Sequence, residues 1–120
     1  MTPKEKANEL RLGNLLQIDH LQGAILTLKE RTCEIISGNV VINCEYDDIV
    51  PIPLTEEWLL NFGFGIKEDG NFWNEYLCIH NYDNELYLNF NKRKIWINYV
   101  HELQNLNFSL TGTELTTKNK

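Results

Sequence analysis

Cys78 and His80 stand two residues apart on a predicted strand, a spacing that turns both side chains to one side of the chain. A thiol beside an imidazole has two chemical uses, as a pair of metal ligands or as a nucleophile with its base. Zinc needs three or four ligands, and His20, His101, Cys33 and Cys44 complete no standard spacing around the pair. No local signature of a nucleophile surrounds Cys33, Cys44 or Cys78. Adjacent acids occur at Asp47-Asp48, Glu56-Glu57 and Glu68-Asp69. General acid–base work needs a carboxyl held in a cleft with a shifted pKa, whereas acids in turns and at helix starts are solvated or serve the dipole. Gly63-Phe64-Gly65 lacks the helix and lysine that would make it a phosphate cradle. The residues thus point to no catalytic group, no metal and no cofactor.

Two surfaces remain as candidates for binding. The first is aromatic. Trp58, Phe62 and Phe72 read as core, while alternation puts Trp73, Tyr87 and Trp96 opposite the aliphatic residues of their strands. Such a cluster is an interaction patch if it is open, because Trp and Tyr dominate interface hot spots. The competing reading is that the C-terminal helix covers that face. The second surface is acidic: Glu45, Asp47, Asp48, Glu56 and Glu57 converge near a proline corner, either as ordinary surface charge or as a patch that docks on a basic groove.

The elements that must position these residues are legible from turn signals and periodicity. Residues 1–11 form a leading arm or short helix, with Pro3 suited to a first helical turn. Between 12 and 53 come five short β-branched runs, at 12–18, 24–29, 32–37, 40–44 and 48–52, punctuated by Asp19-His20, Gln22-Gly23 and Ser37-Gly38-Asn39. These predict a small bent antiparallel sheet or an SH3-like half-barrel. Pro51 and Pro53 end it. A short helix over 55–62 follows, with Thr55 as N-cap, Glu56 and Glu57 in its first turn and Gly63 as its stop. Phe72–Ile79, Glu85–Phe90 and Lys94–Asn98 make a three-stranded meander over 72–98. A C-terminal amphipathic helix over 99–111 takes Asn98 as N-cap, buries the stripe Tyr99, Leu103, Leu106 and Leu110, and stops at Gly112. Its expected polar face is His101, Glu102, Gln104 and Asn105. Residues 116–120 are a polar tail. The predicted fold is α+β, a β-rich antiparallel single domain with two helices after the first sheet.

Composition narrows the class. The chain has 120 residues, 42% hydrophobic and 11% aromatic, enough for a packed core without a disulfide or metal staple. Three widely spaced cysteines are poor disulfide arithmetic and read as buried thiols in a reducing cytosol. No stretch has the length of a signal-peptide core or a membrane span. The formal charge of −6 disfavours direct binding to phosphate backbones, and Lys92-Arg93-Lys94 reads as a solvated hairpin turn.

Three stretches carry a resemblance: ELRLGN at 9–14, IPLTEEWLLNFGF at 52–64 and YVHELQNLNFSLTGTEL at 99–115. On them the chain resembles a family of small uncharacterised proteins found in Bacteroidota genomes and in the phages and prophages that infect them. That resemblance implies a mobile-element setting in a host bacterial cytosol, and it carries no site residues. The expectation is a non-catalytic phage accessory protein that binds a host protein, in concrete form an RNA-guided defence nuclease, as an anti-CRISPR does. The alternative is a nucleotide-signal sponge with a pocket around Tyr87, Asn89 and Trp96. A third possibility is a hydrolase using an acidic or cysteine site.

Overall fold

A computed structural model describes residues 10–117, so residues 1–9 of the predicted leading arm and the last three residues of the tail lie outside the described residues, while Leu10 and Arg11 are not helical. The fold is α+β, with two antiparallel sheets of five strands each and two helices among the described residues. Chain contacts divide it into two units that meet in sequence at the proline corner, one ending at Ile52 and the other starting at Pro53. The sequence reading treats this corner as the end of a section within one domain. Each unit carries its own sheet. No helix among the described residues is long and apolar enough to cross a membrane.

The first unit holds β1 (Leu15–Ile18), β2 (Leu21–Leu28), β3 (Thr32–Ser37), β4 (Val40–Glu45) and β5 (Val50–Pro51) in the order β4-β3-β2-β1-β5. Asp19-His20 and Gly38-Asn39 are two-residue hairpin turns, closed by the pairs Ile18 with Leu21 and Ser37 with Val40. Leu16, Ile18, Ile25, Cys33, Ile35 and Cys44 alternate along their strands into one cluster, joined by Leu10, Tyr46 and Ile49. A short 3-10 turn over Tyr46–Asp48 lets β5 return beside β1.

The predicted turn at Gln22-Gly23 is instead the interior of β2. Glycine stands there because β3 passes too close for a side chain. A Cβ on Gly23 would lie 2.6 Å from the Ile36 carbonyl oxygen and 2.6 Å from Ile35 Cγ2.

In the second unit, α1 (Glu56–Asn61) starts where predicted. Thr55 Oγ1 accepts the Trp58 N–H at 3.4 Å, and two acids occupy the first turn. Gly63 closes the helix at φ 94°. Its N–H donates to the Leu60 carbonyl and that of Phe64 donates to the Leu59 carbonyl, the Schellman pattern.

The predicted three-stranded meander is a five-stranded sheet of β6 (Gly65–Ile66), β7 (Phe72–Trp73), β8 (Cys78–Tyr82), β9 (Glu85–Phe90) and β10 (Arg93–Ile97), paired in chain order. The run from Phe72 to Ile79 breaks because Asn74 Oδ1 accepts the N–H groups of Tyr76 and Leu77, at 2.8 and 2.6 Å. Two-residue turns at Asp83-Asn84 and Asn91-Lys92 have positive φ at both central residues, the type I′ geometry that suits twisted hairpins. Lys92 is therefore the turn residue, and Arg93 and Lys94 belong to β10.

The last helix, α2 (Val100–Thr111), is capped one residue later than predicted, at Tyr99. Glu102 Oε1 accepts the N–H groups of Asn98 and Tyr99, at 2.8 and 3.1 Å. Gly112 is its left-handed stop. The predicted stripe is rotated about the axis. Of its four members only Leu103 is fully buried, while Val100, His101, Gln104 and Asn107 share the buried side. Polar groups can sit there when bonded locally. Asn107 Nδ2 donates to the Thr113 carbonyl at 2.7 Å, and Thr111 Oγ1 donates to the Asn107 carbonyl at 2.7 Å.

Two substitutions test these backbone constraints by urea denaturation. Gly23→Ala should destabilise by roughly 1–3 kcal/mol through overpacking against β3. Lys92→Gly should stabilise by about 0.5–1 kcal/mol, because glycine relieves the cost of a side chain at positive φ.

Candidate functional site

Register decides which residues of the second sheet share a face. Tyr87 pairs with His80 on one side and with Trp96 on the other, so the three form one cross-strand row. Their neighbours two residues along, Cys78, Asn89 and Lys94, make a second row that Trp73 extends by pairing with Cys78. The opposite face carries Phe72, Ile79, Leu86, Leu88 and Ile97, all buried. Aromatic and polar groups thus collect on the outer face as a direct result of strand alternation.

The row is a ladder of rings. His80 and Tyr87 stack with centroids 5.0 Å apart and planes at 17°, and Tyr87 meets Trp96 at 4.9 Å and 56°. The Lys94 ammonium lies 5.1 Å from the Tyr87 centroid and 6.0 Å from that of Trp96. Lys67 stands over Trp73 in the same manner at 5.0 Å. Trp96 is 43% exposed and Trp73 39%, so α2 does not cover them. Of the two readings open to the sequence for this face, the uncovered one describes it.

Trp73, Tyr87 and Trp96 are therefore brought onto one face. Sequence reasoning did not anticipate His80 and Lys94 as their partners. The signal for His80 was present in Tyr82-Asp83-Asn84-Glu85. A two-residue turn at Asp83-Asn84 fixes the pairing of Tyr82 with Glu85, and hence that of His80 with Tyr87. Among the predicted core aromatics, Phe62 and Phe72 are buried, while Trp58 is half-buried with its ring 5.7 Å from Phe62.

The five acidic candidates fall in different units. Glu45, Asp47 and Asp48 surround the 3-10 turn of the first, where Asp48 Oδ2 accepts the Glu45 N–H at 3.3 Å. Glu56 and Glu57 open α1 in the second, and Glu56 Oε1 accepts from Asn81 Nδ2 at 3.2 Å. Glu45, Asp48 and Glu56 thus take part in local bonds, and all five are exposed.

Cys78 Sγ lies 3.8 Å from His80 Nε2, as their spacing suggests. Burial chiefly, and the Asp69 carboxylate next, push the Cys78 thiol above its ordinary value, with Lys67 opposing. A nucleophilic thiol needs the reverse shift. No group of three or more metal-binding side chains occurs among the described residues.

In the first unit Cys33 and Cys44 face each other across β3 and β4 with their sulfurs 3.6 Å apart. Burial, the Cys44 hydrogen bond and the Cys44 charge together push the Cys33 thiol up to about 12. Tyr46 closes this corner by donating its hydroxyl to the Lys29 carbonyl.

Beside the ladder a groove of about 520 Å³ is bounded by Tyr76, Cys78, His80, Asn89 and Phe90, with Leu110 of α2. Comparison with protein-family models, with curated proteins and with solved structures gives no match.

The Cys33 shift has a defined sign. The folded state holds its thiol proton up to about 12, while the unfolded chain releases it near the ordinary value of 9.0. The associated stability is complete below pH 9 and is lost as pH climbs from there toward 12. The urea midpoint should fall between pH 7.5 and pH 10, and should fall less in Cys33→Ala.

Proposed function

We propose that this chain is a non-catalytic accessory protein that works by binding a host protein through the outer face of its second sheet. The observation that carries this reading is the His80–Tyr87–Trp96 ladder, half-buried at His80 and Tyr87 and exposed at Trp96, with the exposed Trp73 beside it. Rigid aromatic rings on strands lose little side-chain entropy when a partner covers them, which makes them efficient anchors. Lys94 and Lys67 over the rings favour carboxylates at short range. The net charge of −6 acts further out and steers the chain toward a basic partner.

In its concrete form the partner is a bacterial defence nuclease in the host cytosol, and the effect is inhibition of the anti-CRISPR kind. This rests on the resemblance of the 52–64 and 99–115 stretches to phage-associated Bacteroidota proteins. The raised pKa of Cys78, with His80 beside it, weighs against cysteine catalysis.

A second reading, a nucleotide sponge, draws support from the groove beside the ladder, whose volume of about 520 Å³ suits a small ligand. Asn89 lines it, and Tyr87 and Trp96 stand on the same sheet face. Retention of a nucleotide by the purified protein in native mass spectrometry would favour this alternative.

Purified protein should form a stable complex with a Bacteroidota RNA-guided nuclease and protect phage from it. Trp96→Ala should weaken that complex at least ~10-fold, about 1.4 kcal/mol, with an unchanged circular dichroism spectrum. The absence of both a stable complex and protection, with any such nuclease, would sink the proposal.

A further inference from the structure

β10 is the last strand of the second sheet, and among the described residues no strand pairs with its outer edge. A groove of about 340 Å³ runs between that edge and α2. Its sheet side is formed by Ile95, Trp96 and Ile97, three consecutive residues. Side chains on one strand face come from alternate residues, so three in succession mean that the strand's edge, with its backbone, borders the groove. Its helix side is formed by Glu102, Asn105, Leu106 and Ser109, spaced three, four and seven from the first. That is one stripe along two turns of α2. The stripe is ~10 Å long at 1.5 Å per residue, room for about three residues of extended chain.

The geometry points to this groove as the place where an extended segment of a partner protein adds to the second sheet as a sixth strand. This rests on the protein-binding reading above and gives the partner's conformation. Main-chain N–H and C=O groups of the segment would pair with the free edge of β10, which is the source of affinity in strand addition. Side chains of an added strand alternate between its two faces. One set enters the groove between Ile95 and Leu106, both only half-buried and able to take an apolar residue. The other set continues the aromatic row beyond Trp96, where Lys94 stands over the rings.

Charge selects the segment further. Arg93 and Lys94 open β10 and are exposed, so an acidic residue fits that end. The bonds from the N–H groups of Asn98 and Tyr99 hold Glu102 at the far end of β10 from Arg93, so it repels that acid little. The expected ligand is a short extended peptide with an apolar residue every second position and an acidic one at the end beside Arg93.

The test is selection of random dodecapeptides displayed on phage against the immobilised protein, followed by synthesis of the enriched peptide. Alternating apolar residues should be enriched, with an acid at one end. N-methylation of the backbone nitrogens that face β10 should weaken binding at least ~10-fold, while methylation of those that face away leaves it unchanged. Leu106→Lys should abolish binding with an unchanged circular dichroism spectrum, and amide exchange in Arg93–Ile97 should slow when peptide is bound.

Absence of enrichment, or an enriched peptide without alternation, would overturn strand addition. So would binding lost in Trp96→Ala but indifferent to N-methylation and to Leu106→Lys. That last result would leave the aromatic-face reading standing, which separates the two ideas. A dimer in light scattering that Leu106→Lys dissociates would show that a second copy of the chain, not a partner peptide, occupies the edge.

Discussion

Two tight turns, Asp83-Asn84 and Asn91-Lys92, hold β8, β9 and β10 in a register with no slack. A two-residue turn admits one pairing, and side chains alternate with period two. A slip of one residue would therefore send the opposite set of groups into the core. In the register adopted, Ile79, Leu88 and Leu86 are buried and His80, Tyr87 and Trp96 form the outer row. The burial of the aliphatic residues and the assembly of the ladder are two consequences of one constraint. Positive φ at Asp83, Asn84, Asn91 and Lys92 is the local cost of that constraint.

The two units use the same device for different ends. In the first, two-residue turns at Asp19-His20 and Gly38-Asn39 align strands whose alternating residues build a core that includes Cys33, Cys44 and Tyr46. Its polar atoms are settled locally, the Tyr46 hydroxyl on the Lys29 carbonyl and the Asp48 carboxylate on the Glu45 N–H. In the second, the outer face keeps large rings open to solvent with ammonium groups over them. The groove beside β10 and the groove beside Cys78 border the same sheet.

Helix α2 shows where pattern reading goes astray. Counting apolar residues alone gives Tyr99, Leu103, Leu106 and Leu110 as the inner stripe. The buried side instead includes His101, Gln104 and Asn107. A polar residue is admitted to the interior when its donors find partners, and the Asn107 side-chain N–H groups find Thr111 at the end of α2 and Thr113 just past it. Those partners are invisible to a hydrophobicity count. Leu106 is thereby released to the groove wall, and Leu110 to another. The same limit applies to the meander. Asn74 looked like one more strand residue, yet its side chain captures two backbone N–H groups and splits the run into β7 and β8. Gly23 is the converse case, a turn-forming residue placed in a strand because β3 leaves no space for a side chain.

The sequence by itself determined the fold class, all five strands of the first sheet, both described helices with the Thr55 cap and the Gly63 and Gly112 stops, and the sidedness of Trp73, Tyr87 and Trp96. These follow from short-range rules, in which turn chemistry, caps and alternation act within a few residues. Only the tertiary structure decided that His80 and Lys94 join those rings, that α2 leaves the ring face open, and that the edge of β10 borders a groove. Each of these depends on pairing between residues distant along the chain or on the rotation of a helix about its axis. Packing and hydrogen-bond satisfaction over the whole unit set such quantities, and no local window contains them.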